Sequence, residues 1–266
     1  MPLTRVVSGA VLLVGVLAAL WYLPPIYLLS LAVLVALLAF REYALIAERA
    51  GAQVSKPAAG MATALACVVV AIPGLPVDVV LAATTLGLLA VVLAQASIGK
   101  QQGEALHHAA ASVLAPLYLG LPLGLLTATR WTLGREATLL LMLTVVTSDT
   151  IQYYAGRLFG RHPLAPVVSP KKTVEGAIGG VIGAAAAMAT LGHWWLPDVA
   201  LVWRIGLGLT IAVVGIVGDL FESLLKRSVG VKDASSIIPG HGGVLDRIDA
   251  LLFAAPVFYI FVRYRF

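Results

Sequence analysis

Apolar residues run along this chain in blocks of 15 to 22 positions, separated by short polar stretches. A helix needs about 20 predominantly apolar residues to cross a hydrocarbon core. Nowhere do apolar and polar residues alternate as they would in a half-buried strand. The pattern therefore predicts about nine membrane helices, near Val6–Leu23, Ile26–Ala47, Ala58–Ile72, Val77–Ala96, His108–Thr127, Ala137–Tyr154, Val174–Trp195, Ala200–Phe221 and Ile248–Val262. The third is the shortest and fits a tilted or re-entrant segment as well as a full crossing. The first follows Arg5 as the apolar region of a signal peptide would, yet more apolar blocks follow at once, so it is read as a retained helix. The expected fold class is all-α: a polytopic integral membrane bundle forming a single domain over residues 1–266. Within it, residues 1–136 are expected to supply scaffold and lipid contact, and residues 137–266 the catalytic helices.

Composition agrees with this picture. Of the 266 residues, 60% are hydrophobic and 12% charged, against about 25% charged in a typical soluble domain; the mean hydropathy is +0.97. The net charge of +5 lies in loops, and no separate nucleic-acid patch is present. With nine spans and the amino terminus inside, thirteen of the eighteen Lys and Arg fall on one face. That excess marks the face as cytoplasmic, as expected in a bacterial-type inner membrane. The single cysteine, Cys67, excludes an intrachain disulfide and a multi-cysteine metal site. Arg41-Glu42-Tyr43 reads as an interfacial anchor, and Gly176–Ala187 as a surface for close helix packing.

Most of the unusual polar residues fall between Ser148 and Asp249. Asp149 lies within or at the end of the sixth block, where a carboxylate at mid-bilayer would cost about 2.5–3.5 kcal/mol and needs a partner or a wet cavity. Ser169-Pro170-Lys171-Lys172-Thr173 is expected to open the seventh helix, with Pro170 in the first turn and free N–H groups beside two lysines forming an anion site. Glu175 is not explained as a topology signal. The densest group spans 31 residues, from Asp219 to Asp249. On a helix, Asp219, Glu222, Ser223 and Lys226 share one face, as do Asp246 and Asp249. Gly240, Gly242 and Gly243 remove side chains that would keep the backbone from a ligand. Oxygen ligands at two helix ends suit a hard cation such as Mg²⁺, and the neighbouring basic residues suit phosphates.

These residues resemble the phosphatidate cytidylyltransferase (CDP-diacylglycerol synthase) family. The family's signature is matched by Ser223, Lys226-Arg227, Lys232-Asp233, His241-Gly242-Gly243, Asp246-Arg247 and Asp249. Asp149, Gly156-Arg157 and Ser169–Thr173 with Glu175-Gly176 resemble it too. The likeness is close over the carboxyl-terminal half and extends to the amino-terminal half only as a hydrophobic pattern. Gln152 departs from it, standing where a small residue is expected. The resemblance implies a metal-dependent, all-helical membrane enzyme, in some cases dimeric, that converts CTP and phosphatidate to CDP-diacylglycerol and pyrophosphate.

The lipid phosphate is already an anionic nucleophile, so the reaction needs charge neutralisation more than a base. Asp219 and Asp246 are the expected principal metal ligands, with Asp149, Glu222 and Asp249 as second-shell or second-cation groups. Lys226 and Arg247 join Asp219 and Asp246 as expected catalytic residues. Lys171, Lys172, Ser223, Arg227, Lys232, His241, Gly242 and Gly243 are the expected substrate-binding set. Two other readings are a CTP-dependent lipid-alcohol kinase and a polytopic transporter. The latter should show internal repeats and polar groups spread through the bundle, and the sequence has neither.

Overall fold

In the computed structural model the apolar blocks are helices. It describes residues 14–99, 102–235, 237 and 242–264. The expectations for Arg5, Lys100, Gly240, His241 and Arg265, and for the start of the first block, lie outside the described residues. Residues 14–22 are helical, and a break at Leu23-Pro24 leads into α1 (Pro25–Arg49). Next come α2 (Lys56–Ala71), α3 (Val77–Gly99) and, after a short 3-10 turn, α4 (Ala105–Ala115). A π-helical turn at Pro116–Gly120 carries α4 directly into α5 (Leu121–Thr132), so the expected fifth span is one 28-residue rod. Pro116 lacks the N–H an α-helical turn would use there, which favours the irregularity. The remaining helices are α6 (Gly134–Phe159), α7 (Val174–Trp195), α8 (Leu201–Ser228) and α9 (Leu245–Tyr264).

Among the described residues, five helices are long and apolar enough to cross a bilayer: α1, α3, the α4–α5 rod, α7 and α8. The chain is an all-α integral membrane protein. The third block is α2, with 16 residues; α6 and α9 are long but carry several charged residues.

One local expectation is overturned. Ser169–Thr173 does not open a helix; it forms a strand, β2, paired antiparallel with β1 (Pro163–Ala165) in a small hairpin. Pro170 therefore sits on a two-stranded ribbon, where a missing N–H is tolerated at an edge. The helix starts one step later. Thr173 is its N-cap, with Oγ1 accepting from Gly176 N at 3.1 Å. Glu175 has a structural explanation: its Oε2 accepts from Arg161 N at 3.0 Å and His162 N at 3.2 Å, closing the turn between α6 and the hairpin.

Helices pack through small residues. On α7, a Cβ at Gly176 would lie 2.7 Å from Gln152 O, and one at Gly179 would lie 2.6 Å from Ala155 Cβ of α6. Gln152 lies at this contact with its Cβ opposite Gly180, and its buried Oε1 has no hydrogen-bond partner among the described residues. Lipid chains compete for apolar surface as well as side chains do, so backbone approach and van der Waals fit hold such pairs together. One apolar core lies among α1, α2, α4 and α5; a second lies among α5 to α9. Two helices contribute to both: α5, with Leu123 in the first core and Leu126 in the second, and α9, with Leu245 and Leu252 in the first and Leu251 and Phe258 in the second.

A Cβ on Gly124 would lie 2.5 Å from Cys67 O across the α2–α5 contact, whereas one on Gly87 of α3 meets nothing within 4 Å. Gly124→Val is expected to cost about 1–3 kcal/mol through overpacking and to lower the unfolding temperature in detergent. Gly87→Val should leave that temperature unchanged, and equal shifts would remove the packing argument.

Candidate active site

The site is built where the last turns of α8 meet the start of α9. Lys226 is the link. Its Nζ lies 2.5 Å from Glu222 Oε2, one turn back on the same helix, and 2.5 Å from Asp246 Oδ1 on α9. Glu222 is fully buried, and its Oε1 has no hydrogen-bond partner among the described residues. The second oxygen of Asp246 accepts from Gly243 N at 2.7 Å and from Ala234 N at 3.0 Å. Asp246 thus joins α8, the connecting loop and α9.

The glycines admit these carboxylates. Gly242 has φ of 81°, and a Cβ there would lie 2.7 Å from Asp246 Oδ2. A Cβ on Gly243 would lie 2.5 Å from Glu42 Oε2. The close approach foreseen for a ligand is, at these two positions, an approach by the protein's own acids.

Glu42 corrects the reading of Arg41-Glu42-Tyr43 as an interfacial anchor. It is buried on α1 and accepts from Val244 N at 2.9 Å, Leu245 N at 2.7 Å and Ser235 Oγ at 2.6 Å. The first N–H groups of α9, which no helical partner satisfies, are therefore capped by a residue some 200 positions away in sequence. Tyr43 is also buried, its hydroxyl donating to Ala111 O at 2.8 Å. Tyr118, in the π-helical turn, is a second contribution from the amino-terminal half. It packs edge-on against Phe221, with ring centres 5.2 Å apart, and its buried hydroxyl has no partner among the described residues. That hydroxyl is an electrostatic neighbour of Glu222, Asp249 and Asp219. A lone acid within an apolar block was the legible signal for Glu42; nothing in the sequence separates Tyr118 from other interfacial tyrosines.

Asp219 forms a second centre. Its Oδ2 is ion-paired with Lys172 of β2, and Ser223 Oγ lies 3.5 Å from its Oδ1. Asp149 on α6 and Asp249 on α9 are within electrostatic reach of Asp219, and Arg247 of Asp149. Lys171, Lys232 and Arg247 are exposed. Arg227 ties the hairpin to the α8 end, donating to Val168 O at 3.4 Å and Val231 O at 3.1 Å. His241 lies outside the described residues. Among the described residues, no three His, Cys, Asp or Glu side chains form a group that could hold one metal ion.

A model of the cytidylyltransferase family matches residues 3–265. The chain belongs to that family. It is 46% identical over 114 residues to a phosphatidate cytidylyltransferase of Aquifex aeolicus, covering 42% of each protein. It is 41% identical over 149 residues to one of Helicobacter pylori, covering 56% of this chain and 55% of the relative. A chloroplastic phosphatidate cytidylyltransferase of Arabidopsis thaliana is 42% identical over 133 residues, 50% of this chain and 33% of that protein. The matched stretches span about half or less of these relatives' lengths.

Removing the Glu42 carboxylate leaves two buried N–H groups unsatisfied, at about 1–3 kcal/mol each. Glu42→Ala is expected to lower the unfolding temperature markedly. Glu42→Gln, which keeps one acceptor oxygen, should recover part of the loss. If Glu42→Ala unfolds at the wild-type temperature, the cap is not holding the loop.

Proposed function

We propose that this chain is a phosphatidate cytidylyltransferase, joining phosphatidate to the α-phosphate of CTP and releasing pyrophosphate. The observation that carries the reading is the charge balance of the site. Five carboxylates gather there: Asp149, Asp219, Glu222, Asp246 and Asp249. Lys172 and Lys226 are paired with members of this group, and Arg247 is in electrostatic reach. With exposed Lys171 and Lys232 beside them, these acids and bases could balance a divalent cation together with anionic phosphates.

The donor set fits Mg²⁺. This ion usually binds through one or two carboxylates together with waters and substrate phosphates, so it needs no three-carboxylate cage. Asp219 and Asp246 would hold it, with Asp149, Glu222 and Asp249 as neighbouring acids. When bound, the ion would supply charge neutralisation at the phosphates. The protein's own groups account for the rest. Lys171, Lys172, Arg227, Lys232 and Arg247 offer cations to the triphosphate and the lipid phosphate, and Ser223 is poised beside Asp219. An oxygen of the lipid phosphate forms the new bond to the α-phosphorus, and the α–β bridging P–O bond breaks. Its electrons leave on pyrophosphate, and no proton need be removed from the nucleophile. The likeness to the phosphatidate cytidylyltransferases of Aquifex aeolicus and Helicobacter pylori supports the same reaction. The basic loops support a site facing the cytoplasm of a bacterial-type inner membrane.

Purified protein with Mg²⁺, phosphatidate and CTP labelled on the α-phosphate should place label in the lipid. Label arriving only from the γ-phosphate would assign a kinase, and no labelled lipid from either would refute a CTP-dependent lipid transfer. Asp219→Asn and Asp246→Asn should each lower turnover at least about 100-fold, about 2.7 kcal/mol of barrier, while Asp78→Asn changes little. Near-normal activity in both variants would remove the assigned roles.

For the orientation, cysteines at Val167 and Asp233 should react with an impermeant maleimide only after permeabilisation of the cells. Reaction of both in intact cells would reverse the topology.

A further inference from the structure

Helices α7 and α8 touch closely at one level and part at another. A Cβ on Gly208 would lie 2.7 Å from Ala184 O and 2.9 Å from Met188 Cβ, so there the backbones are nearly in contact. Ten residues further along α8, the close partner is α9 instead: a Cβ on Gly218 would lie 2.6 Å from Asp249 O. Between the parting ends of α7 and α8 lies an apolar groove of about 320 Å³. Its walls include Leu164 of β1, Ala177, Ile178 and Ile182 of α7, and Val213 and Val217 of α8. Ile178, Ile182, Val213 and Val217 are each about half exposed.

The position of the groove says more than its polarity. Val217 is two residues before Asp219, and Val174, also in the lining, is two residues after Lys172. One end of the groove thus lies at the level of the Lys172–Asp219 ion pair along the helices, with exposed Lys171 on the same strand. From Val174 to Ile182 is eight residues of helix, a rise of about 12 Å. One leaflet of a hydrocarbon core is about 15 Å deep. A cationic rim above an apolar trough of that depth, narrowing toward the Gly208 contact, has the form of an anionic lipid with its chain pointing into the bilayer. A second apolar groove, of about 520 Å³, lies between α2 and α3 and is lined by no residue of the α8–α9 charge cluster. Lys56, two residues before its lining residue Ala58, is paired with Glu48 at 2.9 Å.

We propose that the α7–α8 groove binds one acyl chain of the phosphatidate substrate, placing its phosphate at the Lys172–Asp219 end. The identity of the lipid rests on the proposed function; the occupancy of the groove is tested apart from it. The probe is phosphatidate carrying a diazirine midway along one acyl chain, photolysed with purified protein in phosphatidylcholine nanodiscs without CTP. Label is expected in peptides containing residues 178–182 and 213–217. Excess unlabelled phosphatidate should reduce it at least fivefold, and equal added phosphatidylcholine should not. Ala177→Trp, which fills the groove, should lose the label while retaining the wild-type unfolding temperature. Should Ala177→Trp unfold, the competition on wild-type protein decides alone. Equal suppression by both lipids would mean a surface lipid only and overturn the proposal, as would label confined to the α2–α3 groove. A protein that labels as expected but transfers no cytidylyl group keeps the groove and loses the reaction. One that turns over but labels elsewhere does the reverse.

Discussion

The carboxylate of Asp246 is the constraint on which the site's geometry depends. Its oxygens take Lys226 Nζ from α8, Ala234 N from the loop and Gly243 N from the turn before α9. Donors from three segments leave a short side chain almost no freedom. From the opposite side, Glu42 holds Val244 N and Leu245 N. Together the two acids satisfy backbone groups that would otherwise be stranded among apolar helices, where an unmade hydrogen bond carries its full desolvation cost. They also dictate the glycines, since a side chain at position 242 or 243 would occupy the space of a carboxylate oxygen. The loop's sequence follows from its acids.

Lys226 faces two carboxylates, and this asymmetry matters more than the strength of either contact. A buried ion pair gains little over an apolar substitute, but removing one member leaves an uncompensated charge and destabilises strongly. With Glu222 fully buried behind it, Lys226 cannot swing out to solvent without abandoning that acid. The pair Lys172–Asp219 differs, because Lys172 comes from a two-stranded ribbon and Asp219 is only partly buried. One lysine is thereby fixed in the framework, and the other stands nearer the open edge of the cluster.

Much of the fold was legible because apolar block length is a coarse and robust signal: α1, α3, α6, α7, α8 and α9 all lie on predicted spans. The failure at Ser169–Thr173 has a specific cause. Pro170 fits both a first helical turn and a ribbon edge, and its immediate neighbours do not choose between them. The choice comes from Pro163–Ala165, whose pairing is a contact between segments. The pairing of Glu222 with Lys226 was legible from helical spacing. Glu42 stood out as a lone acid, but its role did not, because its partners Val244 and Leu245 are some 200 residues away and are backbone groups, which look alike at every position.

The division between glycine-packed and charge-bearing surfaces also explains how one helix can serve two environments. α7 uses Gly176, Gly179, Gly180 and Gly183 against α6 and presents Ala184 and Met188 to Gly208 of α8. Neither contact requires a polar group, so its flank bearing Ile178 and Ile182 can stay open to lipid. The carboxylates instead cluster around the Lys172 and Lys226 ends of β2 and α8, where water and headgroups lower the cost of charge relative to mid-bilayer. The proposed reaction needs this separation: its nucleophile is fixed to an acyl chain that stays in the hydrocarbon, while its other substrate is a soluble polyanion. A site deep in the bundle would have to desolvate the triphosphate, and one on a distant loop would have to extract the lipid. Charged groups at the rim of an apolar groove avoid both costs, which is why the place where α7 and α8 part bears on the chemistry as directly as the acids do.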